Sequence, residues 1–256
     1  MLPTQRQQEI LDMLGRDSTV VVREVAERLG VAQSTVRRDL DALESRGLLT
    51  RIFGGAMLQG KSGLPVPLFD ARECAYEGEK ERIGQAAAAL VGDHEAIFVD
   101  SGTTTAMMVP ALCQKHGLTV VTCDLAIALR LAGAAGVTTI LIGGELHGPT
   151  LSCTGTLASR AIEMYDLYFL KSFIGVRGVS AAAGLTNRAH ERVPVKRLAI
   201  ERAREVIVLA DSSKVGTLAP FQVAPARAMH HLITGSSAPA AEREAITALG
   251  IAVTVV

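Results

Sequence analysis

At 256 residues the chain is long enough for one small and one medium-sized domain, each with its own hydrophobic core. It carries 26 Lys and Arg side chains against 26 Asp and Glu, so the molecule as a whole lacks the net positive charge typical of a nucleic-acid-binding protein. The four cysteines form no Cys-x-x-Cys pair, and no apolar run reaches membrane-spanning length, which argues against a zinc site, a disulfide framework and a membrane span. We expect a cytoplasmic protein with no metal or other cofactor.

The first thirty residues predict two helices. Thr4 and Gln7 have the spacing of a capping box, ahead of residues that supply the apolar face of a first helix. A second helix is predicted over residues 23–29 and ends at Gly30, a residue type common just after helix ends.

A third helix is predicted over residues 32–46, because Val36, Leu40 and Leu43 repeat at the spacing of one helix face. Polar and basic side chains occupy the opposite face and its flanks, as in a helix that enters the major groove of DNA. The residues predicted to contact DNA from this helix are Gln33, Ser34, Thr35, Arg37 and Arg38. The alternative from the pattern alone is an ordinary helical hairpin with a solvated arginine face.

A β-hairpin is predicted directly after this helix. Residues 48–52 favour a short strand, and Gly54-Gly55 a turn into a return strand. A hairpin at this place is typical of a wing, and Arg51 is predicted to contact the sugar-phosphate backbone of DNA.

The stretch Ala32-Gln33-Ser34-Thr35-Val36-Arg37-Arg38-Asp39-Leu40, followed by Arg51-Ile52-Phe53-Gly54-Gly55-Ala56, resembles the DNA-binding unit of the deoxyribonucleoside-repressor (DeoR) family of bacterial regulators. That family has Ser-x-x-Thr-Ile-Arg-Arg-Asp-Leu and then Arg-Val-His-Gly-Gly-Ala. Ala32 stands where the family has Ser, which removes a helix-capping oxygen worth about 1 kcal/mol. Phe53 replaces the family's wing histidine. The resemblance implies a winged helix-turn-helix that binds double-stranded operator DNA.

Residues 1–57 hold eight arginines against eight carboxylates, which is a weak electrostatic footprint for a DNA-binding domain. One recognition helix also makes too little contact for specific binding. We therefore expect two copies to act together, in a homodimer or a homotetramer.

Residues 59–72 contain several Gly and Pro residues with little periodicity and predict a linker between two domains, residues 1–58 and residues 73–256. A long helix is predicted to follow, from residue 77 to residue 90. Lys80 lies in its first turn. It forms either a salt bridge with a neighbouring Glu or a contact with an anionic ligand.

From residue 96 onward, apolar strands alternate with helices. This pattern is typical of a mostly parallel, Rossmann-like α/β sheet covered on both faces. Strands are predicted over residues 96–99, 118–121, 137–142, 167–169, 206–210, 231–234 and 251–255. The helices between them are predicted over residues 103–115, 125–131, 157–164 and 193–203.

In such sheets ligands bind beyond the C-terminal ends of the strands. The first strand ends in Asp100-Ser101-Gly102-Thr103-Thr104, whose amides and hydroxyls before a helix are suited to a phosphate group. Other strand ends add polar or glycine residues: Asp124, Gly143, Gly144, Asp211 and Lys214. Each motif taken singly is also ordinary turn and helix-cap chemistry. Their convergence predicts a small-anion site.

This half of the chain also resembles the DeoR effector domain, in which Ser-Gly-Thr-Thr, Gly-Gly-x-Leu and Asp-x-Ser-Lys occur in this order. The resemblance implies a fold like that of ribose-5-phosphate isomerase and coenzyme A transferases, and a role in sensing a phosphorylated sugar or related metabolite. Glu191 and Lys196 match a Glu-x-x-x-x-Lys stretch of the family. Cys123-Asp124 departs from the family, where Asn followed by a small residue is common.

The leading hypothesis is a transcription repressor of a sugar-catabolism operon, released from its operator by a phosphorylated sugar. A sugar-phosphate isomerase-like enzyme with a DNA-binding head is the alternative. Asp100, Asp124, Glu145 and Asp211 are candidate bases for it, but the sequence assigns none of them a catalytic partner. An activator of the same architecture has the same sequence features.

Overall fold

The computed structural model describes residues 6–7, 9–11, 13–14, 19–46, 48–52, 54–58 and 76–256. The predicted capping residue Thr4, the wing residue Phe53 and the predicted linker, residues 59–72, lie outside the described residues. The chain divides into two compact units, one ending at Glu77 and the other spanning Gly78–Val256.

The first unit combines helices with a small antiparallel sheet. Residues 6–7, 9–11 and 13–14 are helical. Further helices span Val22–Leu29 and Gln33–Ser45. Its strands are β1 (Thr19–Val21), β2 (Leu49–Ile52) and β3 (Gly55–Leu58), in the order β1-β3-β2. The predicted helix-turn-helix and wing are thus confirmed, whereas β1 was not predicted.

Apolar side chains at helical spacing form the core of this unit. Val36, Leu40 and Leu43 are fully buried, as their spacing predicts, and they pack in one cluster with Ile10 and Leu14 of the first helical stretch. Gly30 ends the second helix in the left-handed conformation with φ of 64°, which favours glycine at this turn.

The second unit is built on a seven-stranded sheet. In chain order the strands of this unit are β4 (Ala96–Val99), β5 (Leu118–Thr122), β6 (Val137–Leu141), β7 (Glu145–His147), β8 (Ser152–Thr154), β9 (Phe169–Gly175), β10 (Gly178–Ser180), β11 (Gly184–Asn187), β12 (Ala203–Ala210), β13 (Phe221–Ala224), β14 (His231–Thr234) and β15 (Ala252–Val255). The large sheet has the order β15-β14-β12-β9-β4-β5-β6, and its paired strands are all parallel. This confirms the predicted sheet type.

Helices and short 3₁₀ turns connect these strands. The helices span Glu77–Ala89, Thr103–Ala106, Val109–Leu112, Leu125–Leu131, Gly155–Met164, Val193–Glu201 and Ala240–Ala248. The 3₁₀ turns span Gly148–Thr150, His190–Arg192, Ser212–Lys214 and Ala226–Ala228. Among the described helices, none is long and apolar enough to cross a membrane.

The large sheet separates two apolar layers, because successive side chains of a strand point to opposite faces. Phe98 of β4 belongs to one buried cluster, and its neighbours Ile97 and Val99 belong to the other. Both faces are therefore covered, which explains why these strands appear in the sequence as continuous apolar runs.

The predicted helix over residues 103–115 is wrong in its length. The structure has two four-residue helices, Thr103–Ala106 and Val109–Leu112, separated by a turn. Pro110 accounts for the break, because it has no N–H to donate to the carbonyl of Ala106 in a continuous helix.

Two small antiparallel sheets were not predicted at all. β7 pairs with β8, and β10, β11 and β13 form a three-stranded sheet in that order. Their strands have three or four residues each, too few for a periodic pattern to stand out in the sequence.

Candidate functional site

The outer face of the Gln33–Ser45 helix carries the residues predicted to contact DNA. Gln33, Ser34, Arg37 and Arg38 are exposed, and Thr35 is half-buried. Arg37 Nη2 lies 3.5 Å from Gln33 Oε1 and remains at the surface. The helix-capping residue Ala32 makes no side-chain cap, so the terminal amides depend on other partners.

Arg51 is bound to the recognition helix in this structure. Its Nη1 donates to the carbonyl oxygen of Arg37 at 3.0 Å and to Asp41 Oδ1 at 2.6 Å. The backbone N–H of Arg51 donates to Glu44 Oε1 at 2.7 Å. The sequence predicted a phosphate contact for this side chain and gave no sign that it joins β2 to the helix. The phosphate contact stays a prediction.

Asp39 is an acidic residue in a helix otherwise suited to DNA, and its role is a contact within the first unit. Its side chain is buried and accepts hydrogen bonds from Arg6, with Arg6 Nη2 at 3.1 Å from Oδ1. Arg6 Nε forms a second, closer contact with the other carboxylate oxygen. This ion pair fastens the recognition helix to the first helical stretch. Sequence reasoning missed it because the partners lie 33 positions apart.

In the second unit, the C-terminal ends of parallel strands bring most of the predicted effector residues to one edge of the sheet. Asp100 follows β4, Asp124 follows β5 and Asp211 follows β12, and all three carboxylates are buried. Convergence of these strand ends is as predicted. However, all three carboxylates already accept hydrogen bonds from other groups of the chain, so they are not vacant ligand groups.

Asp100 is almost completely buried beside a buried lysine. Its Oδ2 accepts a hydrogen bond from Lys196 Nζ and another from the backbone N–H of Gly175 at 2.9 Å. Lys196 Nζ also donates to the carbonyl oxygen of Gly175 at 2.8 Å. Lys196 is 4% exposed and Asp100 is 1% exposed, so the pair is almost completely dehydrated.

The loop after Asp100 is fixed by its own polar groups. Thr105 Oγ1 lies 2.8 Å from the carbonyl oxygens of both Asp100 and Gly102, and its single O–H donates to one or the other. Gly102 has φ of 155° and ψ of 160°, a region that is almost restricted to glycine. Ser101 and Thr103 are buried and Thr104 is half-buried.

Two features of this loop limit the predicted phosphate cradle. The N–H of Gly102 donates to Asp124 Oδ2 at 3.3 Å, so a carboxylate of the chain already occupies it. The helix that begins at Thr103 has four residues, which gives it a small dipole.

Asp124 caps the helix Leu125–Leu131. Its Oδ1 accepts from the N–H groups of Ala126 and Ile127, at 2.9 and 3.0 Å. Burial raises the pKa of Asp124 to about 6, although three backbone N–H donors act in the opposite direction. Asp124, which departs from the family pattern, therefore caps the helix, but burial of its negative charge destabilises the folded state.

The raised pKa of Asp124 predicts a pH dependence of stability that Asp124→Asn removes. A carboxyl with a higher pKa in the folded state binds its proton more tightly there. The free energy of unfolding therefore decreases as the pH rises from about 4 to about 6. The difference between the pKa of Asp124 in the folded and unfolded states corresponds to a change of about 3 kcal/mol at most in the free energy of unfolding. We expect the midpoint of urea unfolding to fall over this range more in the wild type than in Asp124→Asn. Parallel profiles for the two proteins contradict the assignment.

The turn after β12 is held by side chains from two directions. Asp211 Oδ1 accepts from the N–H of Ser213 at 3.1 Å, and Lys214 Nζ donates to Ser213 Oγ at 2.7 Å. From the helix Glu77–Ala89, Glu79 Oε1 accepts from Ser212 Oγ at 2.7 Å. Lys80, the next residue, is buried. Sequence reasoning singled out Lys80 and missed Glu79.

Gly143 and Gly144 lie in the exposed turn that leads into β7. A Cβ atom at Gly144 would lie 2.5 Å from the carbonyl oxygen of Thr154, so this glycine is required for the close approach of the turn to β8. Gly143 has open space at the corresponding position. The structure gives Gly144 a packing role beside its predicted role in the effector site.

A small cavity of about 10 Å³ lies at this edge of the sheet. Its lining consists of Asp100, Ser101, Cys123, Ser152, Cys153, Thr154, Arg192 and Val195. Burial raises the pKa of Cys123 to about 12, so this thiol is neutral and unreactive. The cavity has room for about one water molecule, whereas small-molecule sites typically measure about 300–1,000 Å³. A sugar-sized ligand therefore requires the surrounding loops to move.

Basic residues that the sequence analysis passed over also reach this edge. Arg192 lines the cavity and contacts Thr150 and His147. Arg177 lies close enough to Arg188 and Arg192 for their charges to lower its pKa, after the larger effect of burial. The sequence carried no signal for this grouping, because Arg177 follows β9 whereas Arg188 and Arg192 lie in the connection after β11. Within the described residues, no group of three or more metal-ligating side chains occurs.

Comparison with known families matches both units. Residues 6–61 match the DeoR-like helix-turn-helix domain, and residues 76–236 match the DeoR C terminal sensor domain. The chain belongs to the DeoR family. The resemblance stated from the sequence is thus confirmed, and the protein is a DNA-binding transcriptional regulator of the DeoR type.

Similar proteins include two that are named as repressors. The chain is 34% identical to the lactose phosphotransferase system repressor of Lactococcus lactis, over 82% of each chain. It is 29% identical to the glycerol-3-phosphate regulon repressor of Escherichia coli, over 96% of each chain. Among solved structures, ribose 5-phosphate isomerase A from Methanocaldococcus jannaschii matches 54% of each chain with a TM-score of 0.39 and 16% identity.

Proposed function

We propose that this DeoR-family protein represses a sugar-catabolism operon in the cytoplasm and leaves its operator when a phosphorylated sugar binds the sensor domain. The observation that carries the proposal is the convergence of Asp100, Asp124 and Asp211, with their polar loops, at one edge of a parallel sheet. Relatives named as the lactose phosphotransferase system repressor and the glycerol-3-phosphate regulon repressor support a sugar-linked role.

In this proposal residues 1–58 form the DNA-binding domain, residues 59–72 the linker and residues 73–256 the sensor domain. DNA contacts are assigned to the exposed face of the recognition helix and to Arg51. The effector contacts are assigned to Lys80, Asp100, Ser101, Gly102, Thr103, Thr104, Asp124, Gly143, Gly144, Asp211 and Lys214. A homodimer or homotetramer presents two recognition helices to paired half-sites.

The closed cavity supports a ligand-driven change of conformation. With about 10 Å³ of space, the cavity at the strand-end edge described above is too small for a sugar. Binding of a sugar has to displace loops that are now held by internal hydrogen bonds, such as the contact between Gly102 and Asp124. An effector that binds only the displaced arrangement shifts the population toward it, and any difference in DNA affinity between the two states then appears as release.

The proposal is tested with operator DNA selected from a random pool by the full-length protein. Phosphorylated sugars are added singly, and DNA binding is followed by fluorescence anisotropy at fixed salt. A phosphorylated sugar is expected to weaken operator binding by about 5- to 150-fold, and operator to weaken sugar binding by the same factor. The unphosphorylated sugar is the control. Effector binding that is equal with and without operator contradicts the proposal.

Two variants separate ligand binding from folding. Lys214→Ala is expected to bind operator like the wild type and to require at least tenfold more sugar for release, because a cation near the phosphate is lost. Gly102→Val forces a branched side chain into a backbone region almost restricted to glycine and is expected to block release. Thermal unfolding without ligand shows whether either variant is misfolded. Normal release by Lys214→Ala excludes its predicted contact.

Two alternatives remain distinguishable by experiment. An isomerase-like enzyme would convert a sugar phosphate on incubation, which nuclear magnetic resonance detects directly. An activator would leave operator binding intact but raise transcription from the adjoining promoter in a reconstituted assay.

A further inference from the structure

Three arginines of the sensor domain lie close together without belonging to the predicted effector set. Arg177 follows β9, Arg188 follows β11, and Arg192 ends the 3₁₀ turn His190–Arg192. The N–H of Arg177 donates to the carbonyl oxygen of Thr186 at 3.0 Å, which extends the pairing of β10 with β11 by one residue. Arg177 therefore lies beside the end of β11, which Arg188 follows directly.

Two neighbouring positive charges act on Arg177. Burial lowers the pKa of Arg177, and the positive charges of Arg188 and Arg192 lower it further, against a smaller opposing effect of Asp211. In the described part of the chain, no salt bridge joins any of the three to a carboxylate. The carboxylate of Asp211 is already bonded to Ser213 and lies 3.6 Å from Lys214 Nζ. Arg177 is thus within reach of two further positive charges and one negative charge.

Arg192 connects this group to the cavity. It lines the cavity together with Asp100 and Ser101. One guanidinium nitrogen, Nη2, donates to the hydroxyl of Thr150, while Nε is buried and has no hydrogen-bond partner. A buried guanidinium N–H without an acceptor is unfavourable, so an acceptor arriving from the cavity would lower its free energy.

We propose that Arg177, Arg188 and Arg192 form an anion-binding group that holds the phosphate of the effector. Three guanidinium groups supply planar, paired N–H donors that match phosphate oxygens, and a dianion would neutralise part of their positive charge. The Ser101–Thr104 loop is poorly suited to bind the phosphate by itself, because the N–H of Gly102 is occupied and the helix at Thr103 has only four residues. Phosphate binding by arginines agrees with both observations. The inference deepens the proposed function by naming the side chains that bind the charge.

The test uses the full-length protein and inorganic phosphate as the probe, at constant ionic strength set with chloride. Phosphate is expected to raise the thermal midpoint of the wild type in a saturable manner. Arg188→Gln, which alters an exposed side chain, is expected to need at least tenfold more phosphate for the same rise. Arg204→Gln is the matched control, because Arg204 is exposed and lies near the N-terminal end of β12. It is expected to respond like the wild type.

A second readout separates ligand binding from a structural role. Without phosphate, Arg188→Gln is expected to melt at or above the wild-type temperature, since Arg188 is exposed and forms no salt bridge with a carboxylate among the described residues. A structural arginine would lower that temperature instead. The inference is overturned if phosphate gives no saturable shift, if Arg177→Gln and Arg188→Gln respond like the wild type, or if Arg188→Gln is less stable without phosphate.

The outcome is separable from that of the proposed function. If a phosphorylated sugar releases operator equally well from the wild type and Arg188→Gln, the regulatory function holds and the arginine site is wrong. If phosphate binding depends on the arginines while no phosphorylated sugar releases operator, the arginine site holds and the regulatory proposal is wrong.

Discussion

Lys196→Met is expected to reduce the free energy of unfolding by about 3–5 kcal/mol. The change leaves the carboxylate of Asp100 at 1% exposure with a backbone N–H but no cation beside it. An uncompensated buried charge costs far more than the packing that methionine restores. Urea unfolding of the full-length protein, followed by far-ultraviolet circular dichroism, measures the loss.

The double variant Asp100→Asn with Lys196→Met provides the matched control for this result. It removes both charges, so it is expected to be more stable than Lys196→Met alone, although Asn also loses one strong acceptor for the N–H of Gly175. If the double variant is no more stable than the single one, the loss arises from packing and the charge argument is wrong.

Arg38→Ala is expected to weaken operator binding by about 1–3 kcal/mol and to flatten the preference for one base pair of each half-site. Arg38 is exposed on the side of the recognition helix opposite the buried residues Val36 and Leu40, so its guanidinium group is directed toward a base edge when the helix enters the major groove. Anisotropy titrations at fixed salt, with the selected operator and single-base variants, measure both effects.

Arg37→Ala is the control for the DNA prediction, because Arg37 is a neighbouring exposed arginine assigned to phosphate. Its loss is expected to weaken all DNA sequences alike and to reduce the salt dependence of binding by about one phosphate contact. Unchanged operator affinity of Arg38→Ala, or an identical profile for both variants, rejects the base contact.

Much of the fold could be predicted because its signals are local. Val36, Leu40 and Leu43 define the buried side of the recognition helix within eight residues, and Gly30 marks the preceding helix end. The strands of the parallel sheet are continuous apolar runs because both of their faces are covered. In the helix predicted over residues 103–115, the apolar pattern outweighed Pro110, which divides the segment.

The contacts of the candidate site could not be predicted in the same way. Lys196 reaches Asp100 across 96 positions, and Arg6 reaches Asp39 across 33. No local pattern states which distant side chain becomes the counterion of a buried carboxylate. The sequence placed Asp100, Asp124 and Asp211 at the ends of strands, where the structure has them, and their effector contacts stay a prediction. The three-dimensional fold decides that Asp124 caps a helix and that Arg192 lines the cavity.

The three bonds that join β2 to the recognition helix have a consequence for how DNA is bound. Through Arg51, contacts within the chain alone fix the wing strand to Arg37, Asp41 and Glu44. The conformational entropy of the wing is therefore lost during folding, and less entropy is lost when the complex with DNA forms. Such preorganisation raises the net affinity obtained from each phosphate contact. This gain compensates for the weak electrostatic attraction of a DNA-binding unit in which residues 1–57 hold as many carboxylates as arginines.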